Sequence, residues 1–438
     1  MVNETLLKEV IISQKKIFLN KKNLFRRKIL DDVCQLCGKL KEIIVITGLR
    51  RSGKSTLLKL IWDEFKTKES LTDDQFLYLN FEDERLINFT KDDFNKILEI
   101  YYELYSPGKK KKIFLYFDEI QNIPYWEKWI NRLYEENKYK IFVTGSNATL
   151  LSSELAVALT GRHIPVTLYP LSFYEFYVYF KNNTLTKQSF YNLEEKAKIK
   201  RALDEYLKLG GLPEYLKTKS PELIQEYFKN ILLRDIVGRY NIKHKQGLKE
   251  LAHILLASIG QICSLRNLSK SIEIKNIGTV KNYLRYLEDS FLFFRAPMFS
   301  YSYKQQVYNP DKMYLVDMGF FYNAAFKSSE NLGHVYENLV FLSLFRDKDN
   351  EVFYYKTKNN LEVDFAVKRK NKIKDLIQVC YDLSGLRTME REETALIKAM
   401  EELKMVRGIV INKDIEEAKR IGGKKIIYIP LWKWLLEN

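Results

Sequence analysis

Lys54, Ser55, Asp118 and Glu119 are the residues whose types and spacing can do chemistry on a phosphate. In GLRRSGKS, Gly48 is followed after four residues by Gly53, Lys54 and Ser55. The two glycines let the backbone turn tightly and lay its N–H groups on phosphate oxygens, and the helix that follows adds a positive partial charge. Lys54 would reach the β- and γ-phosphates, and the Ser55 hydroxyl would coordinate Mg²⁺. Arg51, Ser52 and Thr56 complete the loop that would line the phosphates. Far along the chain, the apolar run KIFLYF (Lys112 to Phe117) ends in Asp118 and Glu119. Asp118 would hold Mg²⁺ through its water shell, and Glu119 would orient and polarise the attacking water. Together these residues imply a nucleoside triphosphatase.

Elements of alternating type must position them. Ile43 to Thr47 is a short buried strand, and the helix beginning at Thr56 carries apolar Leu57, Leu58 and Ile61. Further strands are expected at Phe76 to Phe81, Lys112 to Phe117 and Lys140 to Thr144, with helices over Asp92 to Tyr105 and Trp126 to Tyr134. Such alternation argues a parallel sheet with its ligand at the carboxyl ends of the strands. A polar side chain at the tip of the Lys140 to Thr144 strand would lie between the two metal-side strands and bond the γ-phosphate or the water. Asn147, Ser146 and Thr144 all qualify, and Asn147 is preferred. Met1 to Leu40 reads as helix, and Lys109 to Lys112 as an exposed, solvated loop.

A chain of 438 residues can hold roughly two to four domains. Hydrophobic residues at 46% and charged residues at 29% are ordinary for a globular protein. No run of eighteen apolar residues occurs, and Met1 to Val10 lacks the character of a signal peptide, so a cytoplasmic protein without membrane contact is expected. The 72 Lys and Arg exceed the 56 Asp and Glu by 16, which makes a polyanionic partner plausible. Cys34 and Cys37 form a single CxxC with no second pair or nearby histidine, a pattern that argues against zinc.

GLRRSGKS, FLYFDEIQ, VTGSNATLL and LTGRHIPVTLYPLSFYEF, with YLKLGGLPEYL and ILLRDIVGRYNI beyond them, resemble the AAA+ branch of P-loop ATPases. The similarity is to the prokaryotic group that carries a restriction-endonuclease-like C-terminal domain, and it covers nearly the whole chain. It implies an α/β P-loop ATPase domain over residues 1–170, a helical lid over 171–245, a winged helix-turn-helix over 246–300 and a nuclease-like α/β domain over 301–438. It also implies that an arginine, for which Arg162 is the candidate, completes the site from the same or a neighbouring subunit. Gly211, Leu212 and Pro213 resemble the Gly-x-Pro element whose proline packs on the base. No Asn-Lys-x-Asp guanine-reading motif occurs, which favours ATP over GTP.

In the expected winged helix, Thr279, Lys281, Asn282 and Arg285 fall on the face opposite Val280, Tyr283, Leu284 and Leu287, where they can reach a DNA groove or backbone. In the last segment HVYENLVFLSL, LEVDFAV and LIQVCYDLS resemble a nuclease core of the PD-(D/E)xK type. Glu337, Glu362 and Asp364 supply acids, but the Glu-x-Lys position reads Gln378, Val379, Cys380, so a degenerate domain is expected. The whole reads as an ATPase using ATP and Mg²⁺, acting on DNA or a protein partner or as a homo-oligomer. The rivals are a slow nucleotide switch and an ATP-regulated nuclease.

Overall fold

The structure is a computed structural model describing residues 2–108, 112–148, 159, 161–324 and 331–438. Lys109, Lys110 and Lys111 of the expected lysine loop lie outside the described residues, as do Thr149, Leu150, Leu151 and Thr160 of the segments that carried the resemblance. The chain divides into two units, Met1–Tyr169 and Pro170–Asn438. Among the described residues no helix is long and apolar enough to cross a membrane.

The first unit begins with α1 (Glu4–Leu19), capped by the Asn3 side chain on the Thr5 N–H, and α2 (Ile29–Lys39). The single helix expected from Met1 to Leu40 is therefore two. Asn20 caps the end of α1, and Asn23 takes a left-handed backbone (φ 55°) that no helix continues through. There follow β1 (Ile43–Thr47), α3 (Lys54–Lys68), β2 (Phe76–Asn80), α4 (Phe94–Tyr105), β3 (Ile113–Asp118), α5 (Trp126–Glu135), β4 (Tyr139–Gly145) and β5 (His163–Thr167).

These strands form one parallel sheet in the order β2-β3-β4-β1-β5. β5 was not expected from the sequence. Its HIPVT carries Pro165, a residue tolerated only where one side of the strand needs no ladder bond, and β5 lies at the edge.

The strands read as continuous apolar runs because both faces are covered. Side-chain alternation sends Val45, Leu77, Leu115 and Val143 toward α1, α4 and α5. It sends Ile44, Ile46, Tyr78, Tyr116 and Phe142 toward α2 and α3. Fully burying a residue such as Ile44 or Ile46 contributes about 2 kcal/mol. The same alternation continued past the apolar runs puts Asp118 and Thr144 on the α3 side with Tyr78.

In the second unit α6 (Leu193–Leu209) leads through Gly210 and Gly211 into α7 (Pro213–Thr218) and α8 (Pro221–Asn230). α8 continues past Asn230 as wider π turns over Ile231–Gly238. Next come α9 (Lys245–Ala257), β6 (Ile262–Cys263), α10 (Leu265–Ser271), α11 (Ile277–Asp289), β7 (Phe293–Ala296), α12 (Tyr303–Tyr308) and β8 (Asp311–Leu315). β6, β8 and β7 pair in that order as a small antiparallel sheet. β8, expected with the C-terminal segment, pairs its backbone with β6 and β7.

After α13 (Met318–Ala324) and α14 (Leu332–Phe345) come β9 (Glu351–Lys356), β10 (Glu362–Arg369), β11 (Lys372–Val379), α15 (Leu386–Glu402), β12 (Arg407–Asn412), β13 (Glu417–Ile421), β14 (Lys424–Pro430) and α16 (Leu431–Glu437). They make a mixed six-stranded sheet in the order β13-β14-β12-β11-β10-β9. α15 covers one face, with Leu396, Ala399 and Met400 against Val363, Leu376 and Val410.

Candidate active site

β4 lies between β1 and β3, so the loop after β1 and the acids after β3 open at the same carboxyl edge of the sheet. The loop needs its glycines. Gly48 has φ +146°, and a Cβ there would lie 2.1 Å from the Leu168 carbonyl oxygen. Gly53, at φ 100°, takes the left-handed backbone from which α3 starts. Lys54, 5% exposed, folds back under the loop, its ammonium donating to the carbonyls of Gly48 (3.1 Å) and Leu49 (3.2 Å). The Arg27 guanidinium supports the loop from outside by donating to the Ser52 carbonyl at 3.1 Å.

The Lys54 ammonium lies 3.4 Å from the Glu119 carboxylate. Glu119 takes a left-handed backbone (φ 52°) and accepts from Gln121 Nε2 (2.6 Å) and the Ser146 N–H (3.2 Å). Burial raises the cost of its charge, but Lys54 and these bonds outweigh that and hold the carboxyl below the usual range. Asp118 is fully buried and accepts from the hydroxyls of Tyr78 (2.7 Å) and Thr144. The Thr144 oxygen in turn accepts the Glu119 N–H at 3.0 Å, which ties the two acids together. Burial first, and then Asp118, push the ionisation of the Tyr78 hydroxyl well above the usual range, so it stays a donor. Ser55 lies near enough to the Tyr78 hydroxyl to ease its ionisation slightly.

Three buried hydroxyls ring this edge without a hydrogen-bond partner among the described residues: Thr47 Oγ1, Ser52 Oγ and Ser146 Oγ. A buried hydroxyl left unpaired is costly, and a phosphate group arriving at this edge supplies acceptors for all three. Backbone N–H groups, an ammonium and a helix start can take an anion here, and the adjacent carboxylate can act on water beside it.

Of the residues read from sequence, the structure brings Gly48, Gly53, Lys54, Ser55, Asp118 and Glu119 to this one edge. Thr56 starts the same helix, and Arg51 (φ 69°) shapes the loop. At the β4 tip, Thr144 and Ser146 touch the acidic pair, while Asn147 is buried just beyond them. Arg162 goes elsewhere. Its backbone carbonyl accepts the N–H of Ile43 at the amino end of β1, its guanidinium pairs with Glu135 at 2.6 Å, and it lies over the Tyr134 ring. It therefore sits at the end of the sheet opposite the loop of its own chain. Pro213 opens α7 in the second unit. Sequence reasoning missed Tyr78 and Arg27. The alternation of FLYLNF, with Tyr78 two residues from the strand end, carried a signal for the first; Arg27 left none.

The sheet order and the loop define an AAA-type P-loop ATPase domain, and residues 40–177 match the family described as AAA domain. Residues 200–331 and 332–434 match two families described as domains of unknown function, DUF8612 and DUF4143. The chain belongs to the same family as the uncharacterized protein MJ1544 of Methanocaldococcus jannaschii, to which it is 36% identical over 95% of this chain and 96% of that one. An uncharacterized protein of Haemophilus influenzae is 31% identical over 89% of this chain and 94% of its own. Among solved structures, the Walker-type ATPase PABY2304 of Pyrococcus abyssi is similar at 15% identity and a TM-score of 0.42, over 69% of this chain and 96% of that one.

Proposed function

We propose that this ATPase binds ATP with Mg²⁺ at the carboxyl edge of the sheet, hydrolyses it with Glu119 as the base, and uses the change of nucleotide to move elements of the second unit against a DNA or protein partner. The observation that carries the reading is the 3.4 Å approach of Lys54 to Glu119 beside Asp118. Asp118 accepts the Tyr78 hydroxyl at 2.7 Å and Ser55 lies near enough to act on the same hydroxyl, so a carboxylate and a hydroxyl of the right chemistry for Mg²⁺ share this edge. When bound, the ion would neutralise charge on the phosphates. Lys54 leaves the loop carbonyls and Glu119 for the phosphates, and Glu119, freed of its counter-ion, accepts a proton from water.

In the second unit the order α9, β6, α10, α11, β7, α12, β8, with β8 central in its sheet, supports a winged helix running to about residue 316 in place of 300. Gly211 to Pro213 joins α6 to α7, which fits a helical lid. A slower switch is favoured by one feature: Glu119 is held by Lys54, Gln121 and Ser146 at once, and must give up Lys54 to act as a base.

Steady-state turnover of wild type, Lys54→Ala and Glu119→Gln, with and without duplex or single-stranded DNA, tests the reading. Lys54→Ala should lose nucleotide binding. Glu119→Gln should bind ATP but turn over about a hundredfold more slowly. Equal turnover in all three rejects the mechanism, and a wild type that stays slow under every condition is a switch.

A further inference from the structure

Glu337 on α14 and Glu362 and Asp364 on β10 converge in the second unit, where three carboxylates from separate positions would suit a divalent cation. The centre of the cluster is already filled. The Lys312 ammonium, on β8, lies 2.9 Å from Glu337 Oε1, 2.7 Å from Glu362 Oε1 and 3.0 Å from Asp364 Oδ1, and its side chain is 2% exposed. An ammonium has three donors, and each has a carboxylate. Oxygens at these distances suit N–H···O bonds, whereas Mg²⁺ needs them at about 2.0–2.1 Å.

The surroundings support the same arrangement. The Tyr314 hydroxyl donates to Glu337 Oε1 at 2.7 Å, and the Val379 N–H to Asp364 Oδ2 at 2.9 Å. His334 Nδ1 is 3.5 Å from Glu337 Oε2, and a Cβ at Gly260 would press on both, at 3.1 Å each. Gln378 turns to Glu392, donating at 2.5 Å, and Cys380 is a buried free thiol. Burial opposes the charge on Lys312, but Asp364, Glu337 and Glu362 outweigh it and keep the amine protonated. Burial pushes Asp364 up to about 7 even so. No group of three or more His, Cys, Asp or Glu side chains among the described residues is disposed to hold a metal ion.

We infer that Lys312 is a built-in cation: its ammonium takes the place of a divalent ion among Glu337, Glu362 and Asp364, closes the cluster to metal, and ties β8 to α14 and β10. The metal that a nuclease-like fold implies does not fit this cluster while Lys312 stands in it. Cutting the lysine back opens the site.

The test is Mn²⁺ binding to the full chain without nucleotide, followed by electron paramagnetic resonance, in wild type, Asp364→Asn, Lys312→Ala and the double variant Lys312→Ala with Asp364→Asn. Wild type and Asp364→Asn should bind Mn²⁺ alike. Lys312→Ala should gain one site at least tenfold tighter than any in wild type, lose it again in the double variant, and be stabilised thermally by Mn²⁺. Wild-type Mn²⁺ binding that Asp364→Asn abolishes overturns the inference, as does a folded Lys312→Ala that gains no site. If Lys312→Ala does not fold, the wild-type arm decides alone: binding insensitive to Asp364→Asn supports the built-in cation, and sensitive binding refutes it.

Discussion

The Tyr78 hydroxyl donates to the Asp118 carboxylate at 2.7 Å. It fixes the carboxylate proposed to receive Mg²⁺. Tyr78→Phe keeps the ring that stacks on Phe18, with centroids 4.3 Å apart, and removes only the hydroxyl. A buried bond to a charged group is worth about 1.5–3 kcal/mol. The Mg²⁺ concentration for half-maximal turnover should rise about tenfold, which is about 1.4 kcal/mol, with nucleotide binding in EDTA unchanged. An unaltered Mg²⁺ dependence would remove Tyr78 from the site.

Arg162 stands beside Ile43, at the amino end of β1, whereas the phosphate loop leaves its carboxyl end. A strand of five residues separates them by roughly 13–16 Å of rise. If Arg162 contributes to hydrolysis, it does so across a subunit boundary. Arg162→Ala and Lys54→Ala should each be inactive alone, and mixing the two purified variants should restore a measurable share of wild-type turnover. No recovery on mixing, with both variants folded, excludes that role.

The phosphate loop was legible because its chemistry is compressed into eight contiguous residues, and the acids because a strand end delivers them. What escaped depends on contacts between distant segments. Lys312 looks like any surface lysine until β8 carries it under three carboxylates contributed from 25 to 52 residues away. β5 and β13 were missed because edge strands need fewer apolar side chains, and EAKRI is mostly polar. Glu337, Glu362 and Asp364 were read together from the sequence and do share one ammonium, but that the ammonium fills the centre of their cluster was not legible.

On α11, Lys281, Asn282 and Arg285 are exposed and Thr279 is half-buried, while Val280, Tyr283, Leu284 and Leu287 are buried. If this face binds DNA, changing Lys281 and Arg285 to Ala should weaken binding about equally for all sequences. The slope of log affinity against log salt should fall by roughly two. Fluorescence anisotropy across a salt series measures this, and identical slopes would place any DNA contact elsewhere.

Asp317 accepts the N–H groups of Gly211 (2.6 Å) and Gly319 (2.9 Å) and is almost wholly buried. Burial pushes its carboxyl up to about 7, against the pull of those two bonds and of Arg346. Between its ordinary value, 3.8, and about 7, the folded form keeps a proton that the unfolded form has lost, so stability falls as pH rises through that window. Every tenfold difference in acidity between the two forms is worth about 1.4 kcal/mol. Thermal melts should show a smaller loss between pH 5 and pH 8 for Asp317→Asn than for wild type. Asp364 leaves a residual slope of the same sign.

One strand end links the loop to the rest of the chain. Leu168 donates to the Thr47 carbonyl at 2.7 Å, its own carbonyl fills the space a side chain on Gly48 would need, and Arg27 grips Tyr169 with one nitrogen and Ser52 with another. One residue later the polypeptide passes into the second unit. The last residues of the first unit are therefore pinned by the same bonds that shape the floor of the phosphate cradle.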